Sequence, residues 1–180
     1  MEKKNPRQML FSVLILLALL GFSIYVFLNR QQIQRFERYG YPGIFLISLL
    51  SNFTIIFPVP GVLFTSAMGA VFDPFWVAVT AGLGAALGEI SGYLAGSAGK
   101  FVVEKKEWYE KIMQAMQKYG MWIILALAVI PNPLFDLAGV AAGVLRIPLW
   151  KFLLVCAIGK IVKMLVFSYS GFSILRIFTP

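Results

Sequence analysis

The chain has 180 residues, 59% of them hydrophobic and 13% charged, with a mean hydropathy of +0.82. A soluble domain of this size needs more polar surface to cover its core, so the composition excludes an ordinary soluble enzyme and points to an integral membrane protein. Sixteen Lys and Arg stand against eight Asp and Glu, a net +8 that in so apolar a chain fits anionic lipid headgroups rather than nucleic acid, while the absence of His and the single Cys156 remove His relays, His or Cys metal sites and an internal disulfide.

The first element is an anchor. Lys3, Lys4 and Arg7 precede the uncharged run Gln8 to Asn29, which as a helix is about 30 Å long, one hydrocarbon thickness. A cleaved signal peptide needs small residues at the cut, and Tyr25-Val26-Phe27-Leu28 are bulky. Residues 1–38 therefore form an N-terminal anchor helix and a short polar linker. From Tyr39 to Phe72 no residue is charged, but Pro58-Val59-Pro60-Gly61 interrupts the run. Proline cannot continue a helix through its own amide, so two arms are expected with Pro58, Pro60 and Gly61 at the tip between them. Asp73-Pro74 then opens an apolar helix that reaches Gly99 and carries Glu89. Together 39–99 make a first repeat, a hairpin followed by a transmembrane helix.

Residues 100–118 are highly charged. Trp108, Ile112, Ala115, Met116 and Tyr119 fall at helical spacing, which predicts an amphipathic helix on the membrane surface. Tyr119 to Leu145 is a second apolar run, broken at Pro131-Asn132-Pro133 and closed by Arg146-Ile147-Pro148. The last apolar segment runs from Trp150 to about Phe178 and carries Lys160 and Lys163. Residues 119–180 thus repeat the plan of 39–99. The landmarks recur in order: Arg38-Tyr39-Gly40 with Lys118-Tyr119-Gly120, then the two Pro-x-Pro breaks. At one shared offset of 74 follow Gly69 with Gly143, Pro74-Phe75-Trp76 with Pro148-Leu149-Trp150, and Glu89 with Lys163.

Each broken run is either one kinked span or a re-entrant hairpin. Arms of about 15–18 Å are half a bilayer, the length a hairpin requires. With hairpins the membrane faces hold ten and four Lys or Arg; with single spans the best division is nine to five. The positive-inside rule favours hairpins, a cytoplasmic N terminus and about three full transmembrane helices. Hairpins also make the repeats antiparallel, the inverted-repeat pattern of transporters. The Pro-rich tips must then be buried in protein or line a wet cavity, because bare backbone cannot face lipid.

Four charges sit at depth. Lys160 and Lys163 fall about 14 and 18 Å past the interfacial Lys151. Glu89 reaches a similar depth, and Asp136 follows the second tip. Each costs about 2.5–3.5 kcal/mol on insertion scales. Two acids opposite two ammonium groups form either structural ion pairs or a polar cavity in which the lysines hold an anionic headgroup. Gly84, Gly88, Gly92 and Gly96 recur at every fourth position, a strip for close helix packing. Trp76, Trp108, Trp122 and Trp150 lie near segment ends, where an aromatic belt sits; they form no nucleic-acid platform.

Three motifs resemble the DedA/VTT-domain family, also called SNARE-associated Golgi proteins. They are Phe57-Pro58-Val59-Pro60-Gly61 with Gly69, Gly88-Glu89-x-x-Gly92-Tyr93-x-x-Gly96, and Pro131-Asn132-Pro133-Leu134-Phe135-Asp136 with Ala142-Gly143. The resemblance covers about residues 40 to 172. It implies two re-entrant hairpins in an inverted repeat and lipid transport, of polyprenyl-phosphate carriers in bacterial members and phospholipids in eukaryotic ones. Two positions depart from the family pattern. Val62-Leu63-Phe64 stand where many relatives have a carboxylate, and Asn132 stands where many have an arginine.

The expectation is an all-α integral membrane protein of the plasma membrane that moves a phosphate-headgroup lipid. Glu89, Asp136, Lys160, Lys163 and Asn132 form the transport site, membrane lipids are the partners, and a homo-oligomer stays open. No cofactor, metal or catalytic group is expected, since no nucleophile–base pairing is present. Two other classes remain: an ion-coupled small-solute transporter, and a non-transporting assembly or homeostasis protein.

Overall fold

The chain's computed structural model describes Gly21 and residues 37–53, 61–99, 106–131 and 135–178. The expected anchor helix, the tip residues Pro58 and Pro60, and Asn132 and Pro133 of the second tip lie outside the described residues. The helices are α1 (Glu37–Phe53), α2 (Gly61–Gly69), α3 (Pro74–Gly88), α4 (Ile90–Ser97), α5 (Lys106–Tyr119), α6 (Met121–Val129), α7 (Phe135–Val144) and α8 (Leu149–Phe178). No strand occurs among the described residues. Pro74–Ser97, which joins α3 to α4, and Leu149–Ile174 of α8 are long and apolar enough to cross a membrane, with 24 and 26 residues.

Local chemistry sets the boundaries. Asp73 accepts hydrogen bonds from the Phe75 and Trp76 amides at 2.9 and 3.1 Å. Pro74, which lacks an amide proton, occupies the first helical position, where none is needed. Helix α7 ends with the Ile147 amide bonded to the Ala142 carbonyl and the Arg146 amide to that of Gly143. That paired closure needs a left-handed residue, and Arg146 supplies it at φ 52°. Gly120, at φ 60°, turns α5 directly into α6.

Helix α8 carries the solvent logic of the whole molecule. Phe152, Cys156, Lys160, Met164 and Ser168 are buried and recur at every fourth position. Leu154, Ile158, Val162 and Val166 repeat at the same interval on the opposite side and are exposed. An apolar outer stripe with a lysine on the inner one is the pattern expected of a helix solvated by lipid. The inner stripe bridges two cores. One gathers Ile44, Phe64, Met68, Val77, Ala81 and Met164; the other gathers Ile112, Met116, Ile124, Phe135, Phe152 and Cys156. Helix α5 places Ile112 and Met116 in the second core and packs on α7 and α6, so its apolar face meets protein.

Contacts are exchanged between the two halves. Helix α1 packs on α3, and α6 on α8, within each half. Across the halves α2 packs on α8, α7 on α4, and α3 on α8. Gly69 of α2 abuts Ser168 of α8, and its 74-residue counterpart Gly143 of α7 abuts Tyr93 of α4. The Ser168 hydroxyl donates to the Pro74 carbonyl at 2.8 Å, and the Tyr93 hydroxyl donates to the Ile147 carbonyl at 2.6 Å. Each half's turn into its last helix is thereby tied down by a hydroxyl from the other half.

The expected glycine strip is split. Gly84 and Gly88 admit the backbone of α1 at Phe45 and Leu49, whereas Gly92 and Gly96 face α7 at Asp136 and Val140. The cause lies at Glu89, where α3 stops and α4 begins. The Glu89 amide bonds to the Ala86 carbonyl at 3.2 Å, a tighter turn that shifts the phase of the following residues.

Candidate functional site

The interruption at Glu89 puts a carboxylate into the centre of the bundle. Glu89 is 3% exposed and Lys160 is 2% exposed. The Lys160 ammonium donates to Glu89 Oε1 and, at 2.7 Å, to Asn52 Oδ1. It also stands 4.7 Å from the centre of the Phe135 ring, whose negative face supplies a third attractive contact. Asn52 is itself oriented by its Nδ2, which donates to the Ser48 carbonyl at 2.8 Å. Four elements thus meet at one ammonium group: the end of α1, the α3–α4 junction, the start of α7 and the middle of α8.

Asp136 and Lys163 complete the cluster differently. Asp136 lies in the first turn of α7, where the free amides favour a negative charge. It interacts electrostatically with both Lys160 and Lys163. Lys163 is half-buried and interacts with Lys160, Glu89 and Asp136. Neither residue closes an ion pair among the described residues. The helical period explains the contrast. Lys160 lies on the inner stripe of α8, while three residues on, Lys163 is turned about 60° to one side. Lys160 is sequestered by three partners, whereas Lys163 closes no ion pair among the described residues.

Of the expected site residues, Glu89, Asp136, Lys160 and Lys163 therefore gather in one place. Asn52 and Phe135 complete the setting of Lys160 and had no place in the sequence-based site. The signal was present for Asn52, the one carboxamide in the uncharged run from Tyr39 to Phe72. Ser48, also on α1, is buried with its hydroxyl unpartnered. An unsatisfied buried hydroxyl destabilises, so Ser48→Ala should raise the unfolding free energy by about 1 kcal/mol in detergent. A loss of stability in that variant would mean that the hydroxyl makes a bond in the folded protein.

The VTT domain matches residues 59–173, more than half of the chain. The chain belongs to the VTT-domain family. Vacuole membrane protein 1 homolog of Dictyostelium discoideum is 32% identical over 113 residues, covering 48% of this chain and 28% of that protein. Human Vacuole membrane protein 1 is 50% identical over 54 residues, or 29% of this chain and 13% of its own length. Vacuole membrane protein KMS2 of Arabidopsis thaliana is 35% identical over 105 residues, 46% of this chain and 24% of the relative. This VTT-domain chain spans about a quarter of the length of such curated relatives. No solved structure matches it. The VTT match includes every member of the charged cluster except Asn52.

Proposed function

We propose that this VTT-domain protein moves a phosphate-headgroup lipid, a polyprenyl phosphate or a phospholipid, between leaflets in the manner of a flippase or scramblase. The observation that carries the reading is that Asp136 and Lys163 interact and yet close no ion pair among the described residues. Unshared charge in hydrocarbon is costly and is kept where it serves a pathway. Lys163 and the amide end of α7 would receive the phosphate, Asp136 would balance the charge of the empty site, and the lipid tails would stay in the bilayer. The Lys160–Glu89–Asn52 contact holds this frame together rather than binding cargo.

The proposed architecture is an inverted repeat with two re-entrant hairpins, α1–α2 and α6–α7, around the spans α3–α4 and α8. The exchanged contacts of equivalent residues across the halves support it, as does the meeting of residues beside both Pro-rich tips at Lys160. Rocking of one repeat against the other would expose Lys163 to each leaflet in turn. No catalytic step enters this reading. The proposed location is the plasma membrane with the N terminus in the cytoplasm. The relatives' names specify a vacuole membrane, and a fluorescent fusion imaged against markers of both decides between them. A non-transporting assembly role would favour two sealed ion pairs; of the four charges, the Glu89–Lys160 pair alone is closed among the described residues, which supports transport.

The test uses the full chain in vesicles carrying a fluorescent phosphatidylglycerol. A membrane-impermeant quencher reads transfer between leaflets. Lys163→Ala combined with Asp136→Asn should reduce transfer to the protein-free rate without reducing insertion. Unchanged transfer in that variant would remove the proposed site.

A further inference from the structure

A second feature lies on the outer wall of the bundle. Between α6 and the start of α8 is a cavity of about 540 Å³, lined by Tyr119, Met121, Trp122, Leu125, Val155 and Ile158. Its size falls within the roughly 300–1,000 Å³ of small-molecule sites. The lining is almost wholly apolar, and it includes the exposed Trp122, at 75%. Such aromatic side chains sit at the boundary between headgroups and tails.

The rim is basic. The Lys118 ammonium stands 5.0 Å from the centre of the lining Tyr119 ring. Lys151 stands 5.4 Å from the Trp150 ring. It precedes Val155 by one turn and Ile158 by two on the same face of α8. Helix α6 begins three residues after Lys118, and its first amides receive no side-chain cap from Gly120. The nearby Lys111 is ion-paired with Glu107 at 2.8 Å, and the proposed site makes no use of it.

We propose that this groove holds one acyl chain of an anionic bilayer phospholipid, with its phosphate between Lys118 and Lys151. The shape and apolar lining select a hydrocarbon chain. The two rim cations select the charge of the headgroup. The site is separate from the Asp136–Lys163 cluster and does not rest on the transport reading. Its occupant anchors the second half of the chain to the leaflet and is not cargo.

The test is fluorescence quenching in a variant that keeps Trp122 alone, with Trp76, Trp108 and Trp150 replaced by Phe. The full chain is placed in mixed vesicles of phosphatidylglycerol and phosphatidylcholine, with bromine on the tails of one lipid at a time. Brominated phosphatidylglycerol should quench Trp122 well beyond its bulk fraction, with an enrichment of about fivefold for each rim lysine. Lys118→Gln with Lys151→Gln should return quenching to the bulk fraction, while Lys118→Arg with Lys151→Arg should keep the preference. Equal quenching by both brominated lipids before the rim is altered would overturn the headgroup assignment. Absence of quenching by either would overturn the groove as a lipid site and point to a second copy of the chain covering it. Lipid transfer by the same preparation is read separately, so failure of one proposal leaves the other intact.

Discussion

Glu89→Ala will lower the unfolding free energy by about 3–5 kcal/mol, because it leaves the Lys160 ammonium buried without its counter-charge. The partner cannot escape. Lys160 is 2% exposed and lies well inside α8, far from either end of the helix. Asn52 and the Phe135 ring remain, but both are neutral and cannot offset a full charge. Removing both charges together, in Glu89→Leu with Lys160→Met, should recover most of the loss, since well-packed apolar replacements of a buried pair are often neutral or stabilising. Denaturant unfolding in detergent, followed by tryptophan fluorescence, reads both variants. A loss below about 1 kcal/mol in the single variant would mean that the pair behaves like an exposed one.

Gly143→Ala should be strongly damaging to the α4–α7 contact. Its Cβ would meet the Tyr93 carbonyl oxygen and lie 2.7 Å from the Ser97 amide nitrogen. Both obstacles are backbone, so neither can rotate away. Overpacking of this kind costs about 1–3 kcal/mol and more where the backbone must separate. Gly96→Ala strikes the Val140 carbonyl on the same interface and should act alike. Because the two sites share one contact, their losses should fall short of adding when combined. Gly43→Ala is the control. Nothing lies within 4 Å of a Cβ there, so it should be neutral or gain up to about 1 kcal/mol from helix propensity. Equal effects at Gly143 and Gly43, read by thermal unfolding in detergent, would show that the two halves do not pack closely through these glycines.

Much of the helix plan is legible along the chain. The two arms of the run from Tyr119 to Leu145, on either side of Pro131-Asn132-Pro133, correspond to α6 and α7, and the segment from Trp150 to about Phe178 corresponds to α8. Those boundaries are written in local chemistry, in Asp73-Pro74 and in Ile147-Pro148. The break at Glu89 is less legible. Gly88 and Gly92 flank it without a proline, and the uninterrupted apolar pattern favours one straight helix. A charge drawn to Lys160, together with α1 and α7 packing on successive faces, accounts for the split. Asn52 is marked in the sequence only as a lone amide in an apolar run, with no periodic signature to assign it a partner. It matters through one contact 108 residues away.

Composition and hydropathy by themselves determined the solvent and the helical class, and they set four charges within apolar segments. Those properties sum residue by residue and need no knowledge of neighbours. The order of landmarks along the chain also set the expectation that the two halves share one plan. Only the tertiary structure decided which charges neutralise each other. Lys160 and Lys163 are the same residue type, three positions apart on one apolar helix. Three residues of helical rotation send one onto Glu89, 71 positions away, and leave the other beside Asp136 without closing a pair. An ion pair depends on the distance between two side chains rather than on either residue alone, and that distance exists only once the two halves have packed.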